Sequence, residues 1–334
     1  MIVNRFCILS FGTITFFLLS IALATSKEEP GTVTAKLRND SAANKIDMRS
    51  FFIHYQNNRR NLFWPYEGSS LSAYDLGFGI LQNKGNTSQY TFEGDQFIAT
   101  FGRLFSPNNY LGIFLGPHIL TDTSKDKENI TEHTLMAKGL NYEYTQDSFQ
   151  LSFDFKNDYM YANLFLPAGI EERLVENRFA LSTKYKFLEI LEASASISYS
   201  FLNDNNEFST FQTGLTGEYV LHPLSFFGGV GINYGQSKFT TSRYPSPWYI
   251  FGAGPHAGAH YIARDGLAIS CGYAYTRFVD DLKIDGYETN RFIQVEFGDR
   301  NTLEFQLSYV KMNSVSLGEE WYDNQISLNL TYSI

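Results

Sequence analysis

The sequence contains very little cysteine. Cys7 and Cys271 are the only two among 334 residues. Cys7 lies inside the apolar stretch at the amino terminus, which leaves Cys271 alone in the rest of the chain. A single cysteine excludes a disulfide framework. The mature chain must therefore be stabilised by packing and hydrogen bonding alone.

Positive charge and proline are also scarce. The 26 Lys and Arg residues are outnumbered by 35 Asp and Glu residues, which gives a formal net charge of -9. No nucleic-acid partner is expected, because binding to phosphates needs clustered cations. Only 9 prolines occur beside 30 Phe and 22 Tyr. This composition favours strands over helices.

Long hydrophobic runs are absent after the first two dozen residues. Residues 1–24 contain Arg5, an apolar core over residues 6–19 and the small-residue site Ala22-Leu23-Ala24. This pattern predicts a secretory signal peptide at residues 1–24. The remaining chain is therefore expected to be exported and to have no transmembrane helix.

A period of two recurs from residue 67 to the end of the chain. Segments of about ten residues alternate between apolar and polar side chains, with turn residues between the segments. One such segment places Phe149, Leu151, Phe153 and Phe155 on one face and Gln150, Ser152, Asp154 and Lys156 on the other. A count of these segments gives about fourteen strands, in a range of roughly twelve to sixteen.

The last strand is the clearest of the series. Residues 324–334 alternate strictly, and their apolar row runs to the carboxyl terminus, where it would be an exposed edge unless another strand paired with it. The sequence predicts closure into a barrel, with residues 71–81 as the partner strand. The ending resembles that of bacterial outer-membrane β-barrel proteins. The resemblance rests on Leu328, Leu330, Tyr332 and Ile334, although Ile334 stands where the class usually has Phe.

The resemblance implies a fold and a set of partners. The expected fold is a single all-β, antiparallel, up-and-down transmembrane barrel at residues 67–334, with short periplasmic turns and longer extracellular loops. The expected location is the bacterial outer membrane. The expected partners are outer-membrane lipid and, through the last strand, the barrel assembly machinery. A small solute is a further candidate partner, and the oligomeric state is left open.

Alternation alone would also fit a soluble β-sandwich. Three features favour the membrane barrel. Large aromatic residues alternate with a strongly polar row on the opposite face, tyrosines lie at the ends of the apolar rows, and the connections alternate in length. Residues 159–177 are an example of a long connection, and residues 204–206 of a tight one.

The segment between the signal peptide and the barrel is less regular. Residues 25–48 are polar and without a period, which indicates a flexible periplasmic arm. Residues 50–66 combine many aromatic side chains with the basic pair Arg59 and Arg60. This segment has three interpretations: an extra strand, an interface anchor or a plug inside the barrel. Residues 25–66 together form the predicted amino-terminal arm.

A set of charged and histidine residues is predicted to face the lumen. Its members are Asp75, Asp154, Lys156, Lys184, Lys186, Glu218, His256, His260, Glu296 and Glu304. Mixed charges of this kind would line a wet pore or form ion-pair networks that fill a closed one. His256 and His260 are four residues apart, a distance of about 13 Å along a strand, which is too far for one metal ion. Neither a metal nor another cofactor is expected.

Catalysis is the least favoured function. Barrel enzymes that act on lipids need a base-activated hydroxyl group. The six histidines, His54, His118, His133, His222, His256 and His260, show no His-x-Ser arrangement of the kind found in outer-membrane lipid enzymes. The sequence therefore favours a passive channel or a structural surface protein, with an export barrel for polysaccharide or lipid as the alternative and a lipid-modifying enzyme after it.

Overall fold

Sixteen antiparallel strands account for almost all of the described chain. The computed structural model describes residues 31–42, 46–57, 74–86, 90–106, 108–124, 130–159, 174–188, 190–240, 248–263, 266–281, 285–299, 303–316 and 319–333. The strands are β1 Gly31–Ala42, β2 Ile46–Asn57, β3 Tyr74–Asn86, β4 Tyr90–Ser106, β5 Asn109–Ser124, β6 Ile130–Gln146, β7 Phe149–Tyr159, β8 Val175–Leu188, β9 Leu191–Leu202, β10 Glu207–Leu221, β11 Leu224–Ser237, β12 Tyr249–Ile262, β13 Leu267–Asp280, β14 Asp285–Asp299, β15 Leu303–Ser316 and β16 Glu319–Ser333. Among these residues no helix is long and apolar enough to cross a membrane.

The strands form one closed barrel in which each strand pairs with its neighbours in the sequence. Closure is made by β1 and β16, where Leu37 lies opposite Leu328 and Ala35 lies opposite Leu330. The predicted fold class is confirmed, and the strand count is sixteen, at the top of the expected range. The prediction that residues 71–81 pair with the last strand is wrong, because β3 pairs with β2 and β4.

The amino-terminal segment differs most from expectation. Residues 31–42 and 46–57 form β1 and β2, where the sequence predicted a flexible arm followed by an uncertain aromatic segment. The polar β1 is recruited because its backbone groups satisfy those of the last strand, which would otherwise be an open edge. Of the three interpretations of residues 50–66, the structure shows a strand up to Asn57. Residues 58–66 and the predicted signal peptide lie outside the described residues.

The two faces of the barrel wall differ in exposure. In β4 and β5 the side chains of Phe97, Phe101, Ile113 and Leu115 are exposed, while the alternating Ile98 and Phe114 are buried. The covered face of a closed barrel is its inside, so the exposed apolar face is the outside. The same outward row continues round the wall, as the exposed side chains of Phe211, Phe226, Phe251, Tyr273, Ile293, Phe305 and Leu330 show. An apolar belt of this extent needs lipid to cover it.

Connections at the two ends of the barrel differ in length, with exceptions. The end that carries Gly31 and Ser333 has the short connections 107–108, 147–148, 189–190, 222–223, 263–266 and 300–302, together with the long connection 58–73. The opposite end has the longer connections 160–174 and 238–248, but also the short connections 43–45, 87–89, 125–129, 203–206, 281–284 and 317–318. The tight turn expected at residues 204–206 lies at this end because β9 separates it from the tight turn at residues 189–190, and successive antiparallel strands run in opposite directions.

Candidate functional site in the barrel lumen

The polar rows predicted from sequence lie on the inner face of the wall. Ser152 on β7 and Ser182 on β8 share a hydrogen bond of 2.5 Å, and Ser198 on β9 bonds to Thr210 on β10 at 2.6 Å. On the other side of the lumen, Ser308 and Ser327 bond at 2.5 Å. Each pair joins neighbouring strands across the lumenal surface. Hydroxyl groups therefore cover much of the wall with small, neutral, hydrogen-bonding side chains.

The lumenal charges predicted from sequence are spread round the barrel rather than gathered. Asp154 accepts a hydrogen bond from Asn141 at 2.7 Å, and Glu296 accepts one from Gln306 at 3.0 Å. Lys184 and Lys186 on β8 and Glu218 on β10 are exposed. Asp75 and Glu304 fall in β3 and β15, and their side chains lie outside the described part of the structure.

Cations are unevenly distributed along the inner wall, which sequence alone did not reveal. On β7 and β8 the inner row carries Lys156, Arg178, Lys184 and Lys186, together with the acids Asp154, Asp158 and Glu176. From β9 to β15 the described inner row has no Lys or Arg, because Arg277, Arg291 and Lys311 fall on the outward parity of their strands. One sector of the lumen therefore carries charges of both signs, and the described inner row of the long sector beyond it is neutral or acidic.

A buried polar cluster lies on the inner face of β4, β5 and β7. His118 Nδ1 is 2.6 Å from Asp158 Oδ1, and both side chains are fully buried. Gln96 Nε2 donates to Asp158 Oδ2 at 3.2 Å, and Lys156 Nζ lies 3.6 Å from the same oxygen. The backbone N–H of Tyr159 also donates to Asp158 at 2.8 Å. The carboxylate is thus surrounded by donors on several sides, as a buried charge requires.

This cluster spans a strand that contributes little to it. β6 lies between β5 and β7 and presents Ala137 and Gly139 to the lumen, so His118 and Asp158 meet across it. Gly139 also makes room for Phe114, since a Cβ there would lie 2.0 Å from the Phe114 ring. Gln96 and Asp158 were missed as site residues. Gly139 lies opposite the larger Phe114 and Lys156 on its two neighbouring strands. The small inward residues at 137 and 139 are the sequence signal that could have indicated the cluster.

The buried His118–Asp158 pair has the geometry of an acid–base dyad but not the access. Neither side chain is reached by solvent, so a substrate could not approach it without rearrangement of the wall. Its role on this geometry is to bind β4, β5 and β7 together.

The two lumenal histidines of β12 have separate partners. His256 Nε2 is 2.9 Å from Thr216 Oγ1 on β10, and the imidazole passes over Gly229 of the strand between them. His260 Nδ1 is 2.8 Å from Ser270 Oγ on β13. The described residues contain no group of three or more His, Cys, Asp or Glu that could hold a metal ion. Each histidine is instead a polar group in a hydroxyl-rich surface.

The residues of the predicted C-terminal assembly signal lie in β16 or directly after it. Leu330 is exposed on the outward face, Leu328 is partly exposed, and both pair with β1 and β15. Tyr332 lies in β16, with its side chain outside the described part, and Ile334 lies outside the described residues.

The protein resembles known proteins in structure but not in sequence. No family model and no curated protein matches the sequence. A bacterial polysaccharide outer membrane secretin has a similar structure, with a TM-score of 0.67, 9% sequence identity, and coverage of 91% of this chain and 98% of that chain. CdiB from Acinetobacter baumannii is also similar, with a TM-score of 0.54, 8% identity, and coverage of 90% of this chain and 60% of that chain. The fold is that of a bacterial outer-membrane β-barrel protein.

For an outer-membrane barrel, the inner wall is the surface that can meet a solute. The hydroxyl rows, the charged sector on β7 and β8 and the β12 histidines all belong to that wall, whereas the described outward row is dominated by large apolar side chains. The candidate site is therefore the lumen as a whole, rather than a pocket in one part of it.

Proposed function

We propose that the protein is a non-enzymatic channel of the bacterial outer membrane that passes hydrophilic molecules through its lumen. The observation that carries this proposal is the closure of sixteen strands around a polar inner face. Barrels of about eight strands are filled by their own side chains, whereas those of about sixteen leave room for an aqueous passage.

The exposure of charged side chains supports a wet lumen rather than a closed network. Arg178, Lys184 and Lys186 are all exposed on the inner row of β8. Burying several cations without solvent would cost several kcal/mol each, by an order-of-magnitude estimate. Water in the lumen removes that cost.

An export role is the second form of the same proposal. The similarity to a polysaccharide secretin supports it at the level of the fold, because the two structures match over almost the whole of both chains. A neutral, hydroxyl-rich wall suits a hydrated polymer better than a lipid chain, which favours polysaccharide over lipid as the exported material.

Ion conductance in planar bilayers tests the proposal. We expect the purified protein to produce stepwise currents, and we expect Lys184→Glu with Lys186→Glu to shift the reversal potential under a salt gradient toward cation selectivity, because two lumenal charges change sign. Arg103→Glu is the matched control, since Arg103 is exposed on the outward face of β4 and its replacement should leave the selectivity unchanged. Folded protein that carries no current at any voltage would contradict the proposal.

A further inference from the structure

Two aromatic rings lie next to each other on the inner wall, beside the His260–Ser270 bond described above. Four residues of the inner face fall in one lateral row across four neighbouring strands. They are Phe227 on β11, Gly258 on β12, Gly272 on β13 and Phe292 on β14, each opposite the next. The two phenylalanines thus flank two glycines, and no other row of the described wall combines these residues in this order.

The glycines determine where the rings lie. A Cβ at Gly258 would be 2.1 Å from Cζ of Phe227, and a Cβ at Gly272 would be 2.4 Å from Cε1 of Phe292. Each ring therefore leans from its own strand over the neighbouring glycine and rests against the backbone. The ring planes differ by 13° and the centroids are 6.5 Å apart. The two nearly parallel rings therefore lie next to each other over the two glycines, on the lumenal side of the wall.

The rows on either side of the two rings are polar and uncharged. One inner row lies two residues closer to the barrel end that carries Gly31 and Ser333, and it consists of Ser225, His260, Ser270 and Gln294. The other lies two residues closer to the opposite end, and it consists of Gly229, His256, Ala274 and Asn290. The His260 ring also packs at 5.0 Å from Phe227, and its Nδ1 atom faces the Ser270 hydroxyl group. Hydroxyl, amide and imidazole groups thus border the two rings at the first edge, and the His256 imidazole and the Asn290 amide border them at the second.

We propose that this surface, Phe227 and Phe292 with the bordering His260, Ser270 and Gln294, is a binding subsite for a neutral pyranose ring of a passing saccharide. A pyranose ring has an apolar C–H face, which suits the face of an aromatic ring, and equatorial hydroxyl groups at its rim, which suit the bordering polar side chains. The lack of Lys and Arg on the described inner row from β9 to β15 fits a neutral ligand better than an anionic one. The inference rests on the proposed channel function, whose solute it specifies.

Binding of defined oligosaccharides to the full-length protein in detergent tests the subsite. Isothermal titration calorimetry with maltohexaose and with cellohexaose is expected to show binding of at least one of the two, with a dissociation constant of roughly 0.01 to 1 mM. Phe227→Ala and Phe292→Ala should each weaken that binding by about tenfold or more. Phe226→Ala is the matched control, because Phe226 is the adjacent residue but is exposed on the outward face. Its affinity should equal that of the unsubstituted protein.

Folding is checked for every variant by the heat-dependent gel shift of an intact barrel. Phe227→Leu keeps an apolar side chain without a flat ring, so it replaces Phe227→Ala if that variant does not fold, and it should also weaken binding. The subsite is disproved if neither hexasaccharide binds the unsubstituted protein, or if the folded Phe variants bind as well as it does. Ion conductance is measured separately on the same preparation. Ion current without sugar binding would contradict the subsite but not the channel. Sugar binding without ion current would contradict the channel but not the subsite.

Discussion

At the scale of single residues, glycine controls how side chains are placed on the inner wall. Phe114 lies over Gly139, the His256 ring over Gly229, and Phe227 over Gly258. In each case a larger side chain crosses a neighbouring strand where that strand has no Cβ. In the sequence, Gly252, Gly254 and Gly258 have the same parity as His256 and His260, so the sequence predicts that these glycines face the lumen and leave room for a neighbouring side chain. It could not show which neighbour, because that depends on register between strands.

The space available for a Cβ atom differs among the glycines of the wall. A Cβ at Gly116 would lie 1.5 Å from the Phe97 carbonyl oxygen, and one at Gly254 would lie 1.7 Å from that of Tyr275. Both obstacles are backbone, so the strands would have to separate locally. At Gly231 the nearest atom would be 3.8 Å away. We expect Gly116→Ala and Gly254→Ala to destabilise the barrel by about 1 to 3 kcal/mol, and Gly231→Ala to change its stability by much less.

Urea unfolding followed by the gel shift measures this difference. The three substitutions are chemically identical, so each serves as a control for the others. Equal midpoints for all three variants would show that the close approaches at Gly116 and Gly254 are absent.

At the scale of strands, the seam between β1 and β16 decides the strand count. Ala35 and Leu330 lie directly opposite each other. Opposite residues of antiparallel strands have Cα atoms about 4.5 to 5.5 Å apart, which a disulfide can span. In a Cys271→Ser background, we expect Ala35→Cys with Leu330→Cys to form a disulfide on mild oxidation, detected as a mobility change on non-reducing gels.

A second pair of cysteines provides the contrast for this seam. Leu76→Cys with Leu330→Cys should remain reduced, because Leu76 pairs with Tyr55 and Phe101 in the closed barrel. Oxidation of this pair instead of the first would return the closing role to β3 and make the barrel two strands smaller.

Most strands could be predicted from the sequence because their outward rows are strongly apolar. The strand containing Phe149, Leu151, Phe153 and Phe155 is an example, since it has an unbroken apolar row and a polar partner row. β1 could not be predicted in this way. Its alternate residues Val33, Ala35 and Leu37 are followed by Asn39 and Ser41, which is too weak an apolar row to stand out from a polar linker. Its assignment depends on pairing with β16, a contact between the two ends of the chain.

The buried cluster was missed for a related reason. His118 and Asp158 are forty residues apart in sequence and lie on strands that are not adjacent. Parity places both on the inner face, but only the three-dimensional register brings them within 2.6 Å. The hydroxyl-rich inner rows, by contrast, could be predicted from parity alone.

At the scale of the whole molecule, the outward belt should determine where the protein is stable. Leu330 is 41% exposed on this belt and lies three residues before the end of β16 at Ser333. We expect Leu330→Arg to lower the free energy of unfolding in lipid, because a charge is placed on the apolar face. The cost of an arginine is about 2 to 4 kcal/mol at the middle of the membrane and falls to about 0 to 1 kcal/mol near the interfaces. Unfolding by urea in lipid vesicles, followed by tryptophan fluorescence, measures the change.

Ser327→Arg is the control on the same strand. Ser327 faces the lumen, where it bonds to Ser308, so an arginine there can be hydrated and should cost less. If both arginine variants were as stable as the original protein in lipid, the apolar face of β16 would not be in contact with the hydrocarbon layer.

The buried Gln96–His118–Asp158 cluster also has a mechanical meaning. Side-chain bonds that cross a strand resist shear and sliding between strands in a way that ladder hydrogen bonds alone do not. We expect the wall from β4 to β7, where these bonds join three strands, to resist deformation more than the wall from β11 to β14, where glycines lie at 229, 231, 258 and 272. If the protein passes a bulky molecule as proposed, the passage would widen mainly on the glycine-rich side, and its cross-section would become oval in a fixed direction.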